Sequence, residues 1–325
     1  MSIDRKFVNL FTNVTEKAAI EASLFIGKRD KISADKAAVD AMRNELNKIN
    51  MEGQVTIGEG EMDEAPMLYI GEKLGTLNGP KFDIAVDPLE GTNFTANNLP
   101  NAFSVIAVAS KGGLLTAPDT YMEKIVIGTG LPKNLLDLDY GVEKNIQLLA
   151  DSKNKKVTDI KACVLKRSRH DHIVSVLNKM NVKINFITDG DIAGALSVVG
   201  KNPLNDIYYS TGGGPEGVLT AAALSCLNGQ IQGRLVLDTN QKVRAKKLGI
   251  SNFKRKYNID DMVKGDIIFC ATGVTDGDLA KGVKNLGDRY EVNTFVLHKS
   301  NDVNENVTNI HTKWIHSLSV VKHGF

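Results

Sequence analysis

The chain has 325 residues, of which 42% are hydrophobic and 24% charged, and its 40 Lys and Arg against 38 Asp and Glu leave a net charge of only +2. That length predicts two packed lobes or one large layered unit. The composition excludes the disordered and membrane classes, and so small a net charge excludes nucleic-acid backbone binding as the main task.

The opening MSIDRKFVNLF lacks an uninterrupted apolar stretch and a small-residue cleavage site, and no run approaches the ~20 apolar residues of a membrane span. Cys163, Cys226 and Cys270 are widely spaced and set in apolar stretches. The expectation is a cytoplasmic protein with buried, reduced thiols and neither a membrane nor a nucleic-acid partner.

In chain order, Ala18, Ala22, Phe25 and Ile26 fit one helical stripe, and Ala38, Met42, Leu46 and Ile49 fit a second that begins near Ser33. Short apolar runs bounded by Gly, Pro or Asp then predict strands: QVTIG, FDIAV, FSVIAVA and EKIVIG. After the helical GVEKNIQLLADS, strand and helix alternate through KACVLK, HIVSVLNKM, KINFIT, DIAGALSVV, DIYYS and GVLTAAALSCL. That alternation predicts a parallel sheet with crossover helices. QIQGRLVL, DIIFCATG, NTFVLHK and NIHTKWI supply further strands. The polar SKNKK marks a division near residue 157, giving segments 1–157 and 158–325, both mixed α and β.

Four acidic turns follow predicted strands. IAVDPLEGTNFT puts Asp87 at a strand's end, Glu90 three residues on, Gly91 where backbone can approach a phosphate, and the Thr92 hydroxyl beside it. The competing reading is a turn whose carboxylates cap backbone N–H groups. TIGEGEMDEAP places Glu59 and Glu61 around Gly60, close enough to repel unless cations or solvent compensate; a solvated helix start is its alternative. ITDGDIAGA contributes Asp189 and Asp191. In STGGGPEGV, Glu216 follows a Pro suited to a first helical position, without the Lys-Ser/Thr of a P-loop or GxGxxG spacing. Oxygen ligands from several segments suit a hard divalent cation.

The basic LKRSRHDHIV, also between strand and helix, offers Arg167, Ser168 and Arg169 as a fork for a second phosphate, or else forms a solvated loop. His170 and His172 lack the Cys or His partners of a zinc site. Tyr121, in APDTYMEK, reads as a half-buried strand residue.

Together DKISADKAAVDAMR, VTIGEGEMDEAPMLYIGEK, DIAVDPLEGTNFTA, APDTYMEK, SRHD, DGD and GGGPEGV resemble the bacterial class II fructose-1,6-bisphosphatases, a branch of the lithium-sensitive, metal-dependent sugar phosphatases. The resemblance implies an α/β fold layered as an α-β-α-β-α sandwich. It also implies Mn2+ or Mg2+ on Asp35, Glu59, Asp87, Glu90 and Glu216, with Thr92 and Glu59 catalytic. Substrate contacts fall on Glu90, Gly91, Thr92, Tyr121, Arg167, Ser168, Arg169, Asp189, Gly190, Asp191 and Gly213. The implied substrate is a small sugar bisphosphate, cleaved at its 1-phosphate by a homodimer or homotetramer. Sedoheptulose 1,7-bisphosphate, an inositol or nucleotide phosphate, and a non-catalytic sensor are the alternatives. The stretch between GRLVLDTN and KKLGI is shorter than in many relatives.

Overall fold

A computed structural model describes residues 2–58 and 67–313. Glu59, Gly60 and Glu61, named above as candidates, therefore lie outside the described residues, as does the end of the predicted NIHTKWI strand.

Two helices open the chain, α1 (Lys6–Ser23) and α2 (Lys31–Leu46). They are followed by β1 (Glu52–Ile57), β2 (Lys73–Leu74), β3 (Lys81–Glu90), α3 (Thr92–Ala96) and β4 (Phe103–Ser110). Next come β5 (Tyr121–Ile127), α4 (Val142–Ser152), β6 (Lys161–Leu165), α5 (Asp171–Lys179), β7 (Lys183–Ile187) and α6 (Asp191–Leu196). The sequence continues with β8 (Ile207–Gly213), α7 (Gly214–Leu227), β9 (Gln230–Val236), α8 (Thr239–Lys247), β10 (Tyr257–Asn258) and α9 (Ile259–Met262). It closes with β11 (Ile267–Gly273), β12 (Lys284–Asn285), β13 (Arg289–His298) and β14 (Val303–Thr312). The segment between GRLVLDTN and KKLGI forms α8, whose start is fixed by reciprocal bonds between Asp238 and Gln241.

The strands make two sheets. An eight-stranded sheet runs β12-β13-β11-β4-β3-β1-β2, with β14 also on β13, and a six-stranded sheet runs β10-β9-β5-β8-β6-β7. The expected parallel sheet is corrected to a mixed one. β6 pairs in parallel with β7 and β8, but β5 is antiparallel to both β8 and β9. The crossovers through α5, α6 and α7 do leave β6, β7, β8 and β9 pointing one way. β5 enters from the other sheet without a crossover helix, and so runs against them. The passage between sheets falls between β4 and β5, ahead of residue 157, and β11 returns the chain to the first sheet.

Three apolar clusters define five layers. Phe11, Val14, Met42 and Leu46 of α1 and α2 pack on Ile84, Val86, Ile106 and Ile268, one face of the larger sheet. Ala85, Val105 and Phe269 of the opposite face meet α6 and α7, which also cover Met122, Val126 and Tyr208 of the smaller sheet. Ile146 and Leu149 of α4 and Ile173 and Leu177 of α5 cover that sheet's outer face. The order is α-β-α-β-α. α7, apolar nearly all round, is the helix buried between the sheets.

Phe25 and Ile26 lie past the end of α1, where the chain turns at Gly27 (φ 74°). Gly27 N–H donates to the Thr95 carbonyl and Arg29 N–H to that of Ala96, at 2.9 and 2.8 Å, docking the α1–α2 turn on α3. The Asp30 side chain accepts from Ser33 N–H at 3.0 Å and starts α2. Asp35 is thereby carried on a helix that packs against α3.

Candidate functional site

The site forms where β3 ends in one sheet and β8 ends in the other. In a regular strand, residues three apart point to opposite faces. Asp87 lies opposite Val105 but Glu90 lies opposite Phe103, so three steps on β3 match two on β4. This bulge, built on Pro88 and Leu89, brings both carboxylates to one face. The strand was expected to end at Asp87; it continues through Glu90. Asp87 Oδ1 accepts from Leu89 N–H at 3.1 Å, a turn-capping bond, so the capping reading describes part of its role.

Glu216 joins them from the first turn of α7. Carboxylate oxygens of Asp87, Glu90 and Glu216 lie within 4.8 Å of one another. Asp87 and Glu90 are 2% and 4% exposed, whereas Glu216 keeps an opening to solvent. The glycine run makes room for this packing: a Cβ on Gly213 would sit 1.9 Å from Glu216 Oε2, and one on Gly212 1.9 Å from Asp191 Oδ2. Gly91, at φ 78°, starts α3 in the left-handed region and puts Thr92 at the first helical position.

Burial pushes Glu90 up to about 7, aided by the charge of Asp191, although its bond with Asp87 acts the other way. Burial likewise takes Glu216 to about 8, opposed by Lys124 and reinforced by Glu90 and Asp191. Asp35 rises to about 6 through burial, and its Oδ1 is buried with no hydrogen-bond partner among the described residues. Crowded carboxylates that resist ionisation are a donor set suited to a hard divalent cation. The residues present fit such an ion.

The other expected residues fall into two groups. Asp189 is half-buried, bonded by the Asn93 N–H and near Arg167, and burial raises its pKa. Gly190, at φ 78°, starts α6, and Phe94 lies beneath both it and Gly91. Asp191 is turned inward: Tyr208 OH donates to Oδ1 and Lys124 Nζ to Oδ2, both at 2.5 Å. Ile192 N–H donates to Glu90 Oε1 at 2.8 Å, tying the two sheets' turns together.

Arg167, Ser168 and Arg169 are exposed around a short turn before α5. Arg167 spends one amino group on the carbonyls of Lys166 and Thr188. Arg169 Nε donates to the Thr211 carbonyl at 2.7 Å, and its guanidinium carbon lies 4.8 Å from the Tyr121 ring centroid. Among the described residues no hydrogen bond engages the terminal amino groups of Arg169, which could meet a ligand. Tyr121 is 53% exposed, and it lies opposite Gly213 across the sheet.

Lys124, Tyr208 and Phe94 were not singled out by sequence, and His170 was considered there only as a zinc ligand. His170 is buried; its Nδ1 bonds the Leu165 carbonyl and its Nε2 accepts from Thr211 N–H at 2.7 Å. Burial depresses its pKa, so it is a neutral strut joining the basic turn to β8. Arg43 serves a similar end beside the undescribed 59–66: it bonds Glu72 at 2.7 Å and the Met67 carbonyl at 2.5 Å, anchoring the chain where it returns.

A carboxylate cluster that could hold a divalent cation, with an exposed basic turn on the smaller sheet, is compatible with a phosphate-ester enzyme of the α/β type. Residues 5–311 match the family described as bacterial fructose-1,6-bisphosphatase, glpX-encoded. The chain belongs to that family. It is 39% identical to the Haemophilus influenzae fructose-1,6-bisphosphatase class 2, over 93% of this chain and 94% of that one. The Escherichia coli fructose-1,6-bisphosphatase 1 class 2 matches at the same 39% identity, with 93% and 94% covered. A Synechococcus protein named D-fructose 1,6-bisphosphatase class 2/sedoheptulose 1,7-bisphosphatase is 37% identical over 96% of this chain and 97% of its own.

The raised carboxyls predict how the cation-free protein responds to pH. Asp35, Glu90 and Glu216 hold protons more tightly folded than unfolded, so the stability they give is complete below the ordinary carboxylate range and is lost as pH rises through about 6 to 8. In chelator, Tm falls across that window; Mn2+ or Mg2+ removes most of the fall by binding the ionised forms. A Tm that is flat or rises in chelator contradicts this arrangement.

Proposed function

We propose that the chain hydrolyses the 1-phosphate of fructose 1,6-bisphosphate to give fructose 6-phosphate and phosphate, with Mn2+ or Mg2+ as cofactor. The observation that carries this reading is the convergence of Asp87, Glu90 and Glu216 within 4.8 Å, beside a basic fork with open donors. Asp35 and Glu59 complete the proposed ligand set. Bound there, the cations supply Lewis acidity to the phosphoryl oxygens and lower the pKa of water toward ~7.

The protein's own residues do the positioning. Gly91 turns the backbone so that the Thr92 hydroxyl, two residues after Glu90, aims the attacking water in line with the leaving sugar oxygen. Glu59 takes the proton in this reading. Arg167, Ser168 and Arg169 hold the distal phosphate, with Arg169 fixed in orientation by Tyr121 and Thr211. Asp189, Gly190, Tyr121 and Gly213 border the sugar, while Asp191 supports that wall from behind. Sedoheptulose 1,7-bisphosphate is a second proposed substrate, supported by the name of the Synechococcus relative. Among the described residues no helix is long and apolar enough to cross a membrane. We further propose a cytoplasmic homodimer or homotetramer.

Thr92→Ala lowers kcat by at least ~100-fold with little change in KM, the pattern of a group acting in the transition state, and Thr92→Ser keeps part of the rate. Wild-type turnover in the Ala variant would reduce the hydroxyl to a turn-former. Arg169→Ala tests the fork: a lost charge-assisted bond of ~1.5–3 kcal/mol predicts a roughly ten- to hundredfold drop in kcat/KM on fructose 1,6-bisphosphate. The drop on a generic aryl phosphate should be much smaller, because binding energy from a remote phosphate orients only a substrate that has one. Equal losses on both substrates would overturn the distal-phosphate assignment.

A further inference from the structure

Lys124 lies on β5 in the smaller sheet at 1% exposure, and no other lysine or arginine among the described residues is buried. Its Nζ donates to Asp191 Oδ2 at 2.5 Å and to the Gly213 carbonyl at 2.7 Å. The approach is built: Gly212 leaves the space that Asp191 Oδ2 fills, and Tyr208 OH takes Oδ1. Asp191 is thus a fourth carboxylate on the border of the acidic group, directly preceding the Ile192 N–H that bonds Glu90. A buried ion pair is weak as a source of stability, because desolvation offsets the attraction. Its position therefore calls for another role.

We propose that Lys124 is a positioning residue, the internal counter-ion that holds Asp191 away from the cation and so leaves Asp35, Asp87, Glu90 and Glu216 as the ligands among the described residues. This rests on reading those carboxylates as cation ligands. Lys124 also clamps the carbonyl of Gly213, one residue before α7, which fixes the turn that presents Glu216. Without the ammonium, Asp191 becomes an uncompensated buried charge beside three others, and additional cation binding is the relief open to the site. With it, each cation meets one charge fewer. The arrangement sets how tightly the site holds its cation, and which carboxylates take part.

The test compares wild type, Lys124→Met, Lys124→Arg and the charge-neutral pair Lys124→Met with Asp191→Asn, each as the full chain. Mn2+ binding is read by equilibrium dialysis without substrate, and the Mn2+-induced shift of Tm by thermal unfolding. Lys124→Met should bind Mn2+ at least about tenfold more tightly, with a larger Tm shift than wild type, since a nearby positive charge has been removed. Its kcat should fall, since Asp191 and the Gly213 turn are released. Lys124→Arg keeps the charge and should keep wild-type Mn2+ affinity. The neutral pair, which avoids a buried unpaired charge, should fold and bind Mn2+ within about threefold of wild type. Unchanged Mn2+ affinity in Lys124→Met, or weakened affinity in the neutral pair, would overturn the proposal; the second result would make Asp191 a ligand in its own right. Absence of any Mn2+ effect on the wild type would instead overturn the cation reading, and this proposal with it.

Discussion

Asp87, Glu90, Asp191 and Glu216 share a space between two sheets where water is scarce, and like charges at such separations repel strongly. Much of the surrounding structure answers that repulsion. The β3 bulge turns Asp87 and Glu90 to one face; Ile192 N–H bonds Glu90; Lys124 and Tyr208 take both oxygens of Asp191. The oxygens of Asp87, Glu90 and Glu216 still lie within 4.8 Å of one another, and among the described residues Asp35 Oδ1 is buried without a hydrogen-bond partner. A divalent cation would relieve that crowding.

The layers exist to bring these groups together from distant parts of the chain. Glu90 ends a strand of the larger sheet, Glu216 begins the helix between the sheets, and Asp35 rides on a helix of the outer layer. Because α7 is packed on both sides, Glu216 is held on a rigid element, as a preorganised site requires. The basic fork is fixed differently. It sits on an exposed turn, tied to β8 through His170 and Arg169, and so presents its donors outward. One part of the site is rigid and dry and the other open, in keeping with a reaction centre and a recognition element.

The sequence made legible what depends on local pattern. Apolar runs located the strands, Ser33 and the Pro before Glu216 marked helix starts, and the acidic turns after strands picked out the cluster. The bulge was not legible, because Pro88 and Leu89 are as compatible with a strand's end as with an extra residue inside it. Nor was the mixed sheet, since the direction of β5 depends on its partners 80 or more residues on, Tyr121 lying opposite Gly213. Lys124 left one unread signal: a charged position, next to Glu123, directly before the apolar run of its strand. The resemblance placed Asp191 among the substrate contacts; in the structure the missing side chain at Gly212 leaves room for its carboxylate beside Lys124 and Tyr208. Asp35 was reached through family resemblance alone, as helix periodicity files it with ordinary first-turn acids.

We propose that these carboxylates hold the cation on which phosphate-ester hydrolysis depends. The most direct test measures phosphate release from fructose 1,6-bisphosphate after exhaustive chelation, then on return of Mn2+ or Mg2+. No turnover is expected in chelator and recovery with either or both ions, with Asp87→Ala folded but inactive throughout. Full activity in the chelated protein, or an Asp87→Ala variant that turns over like the wild type, would contradict it.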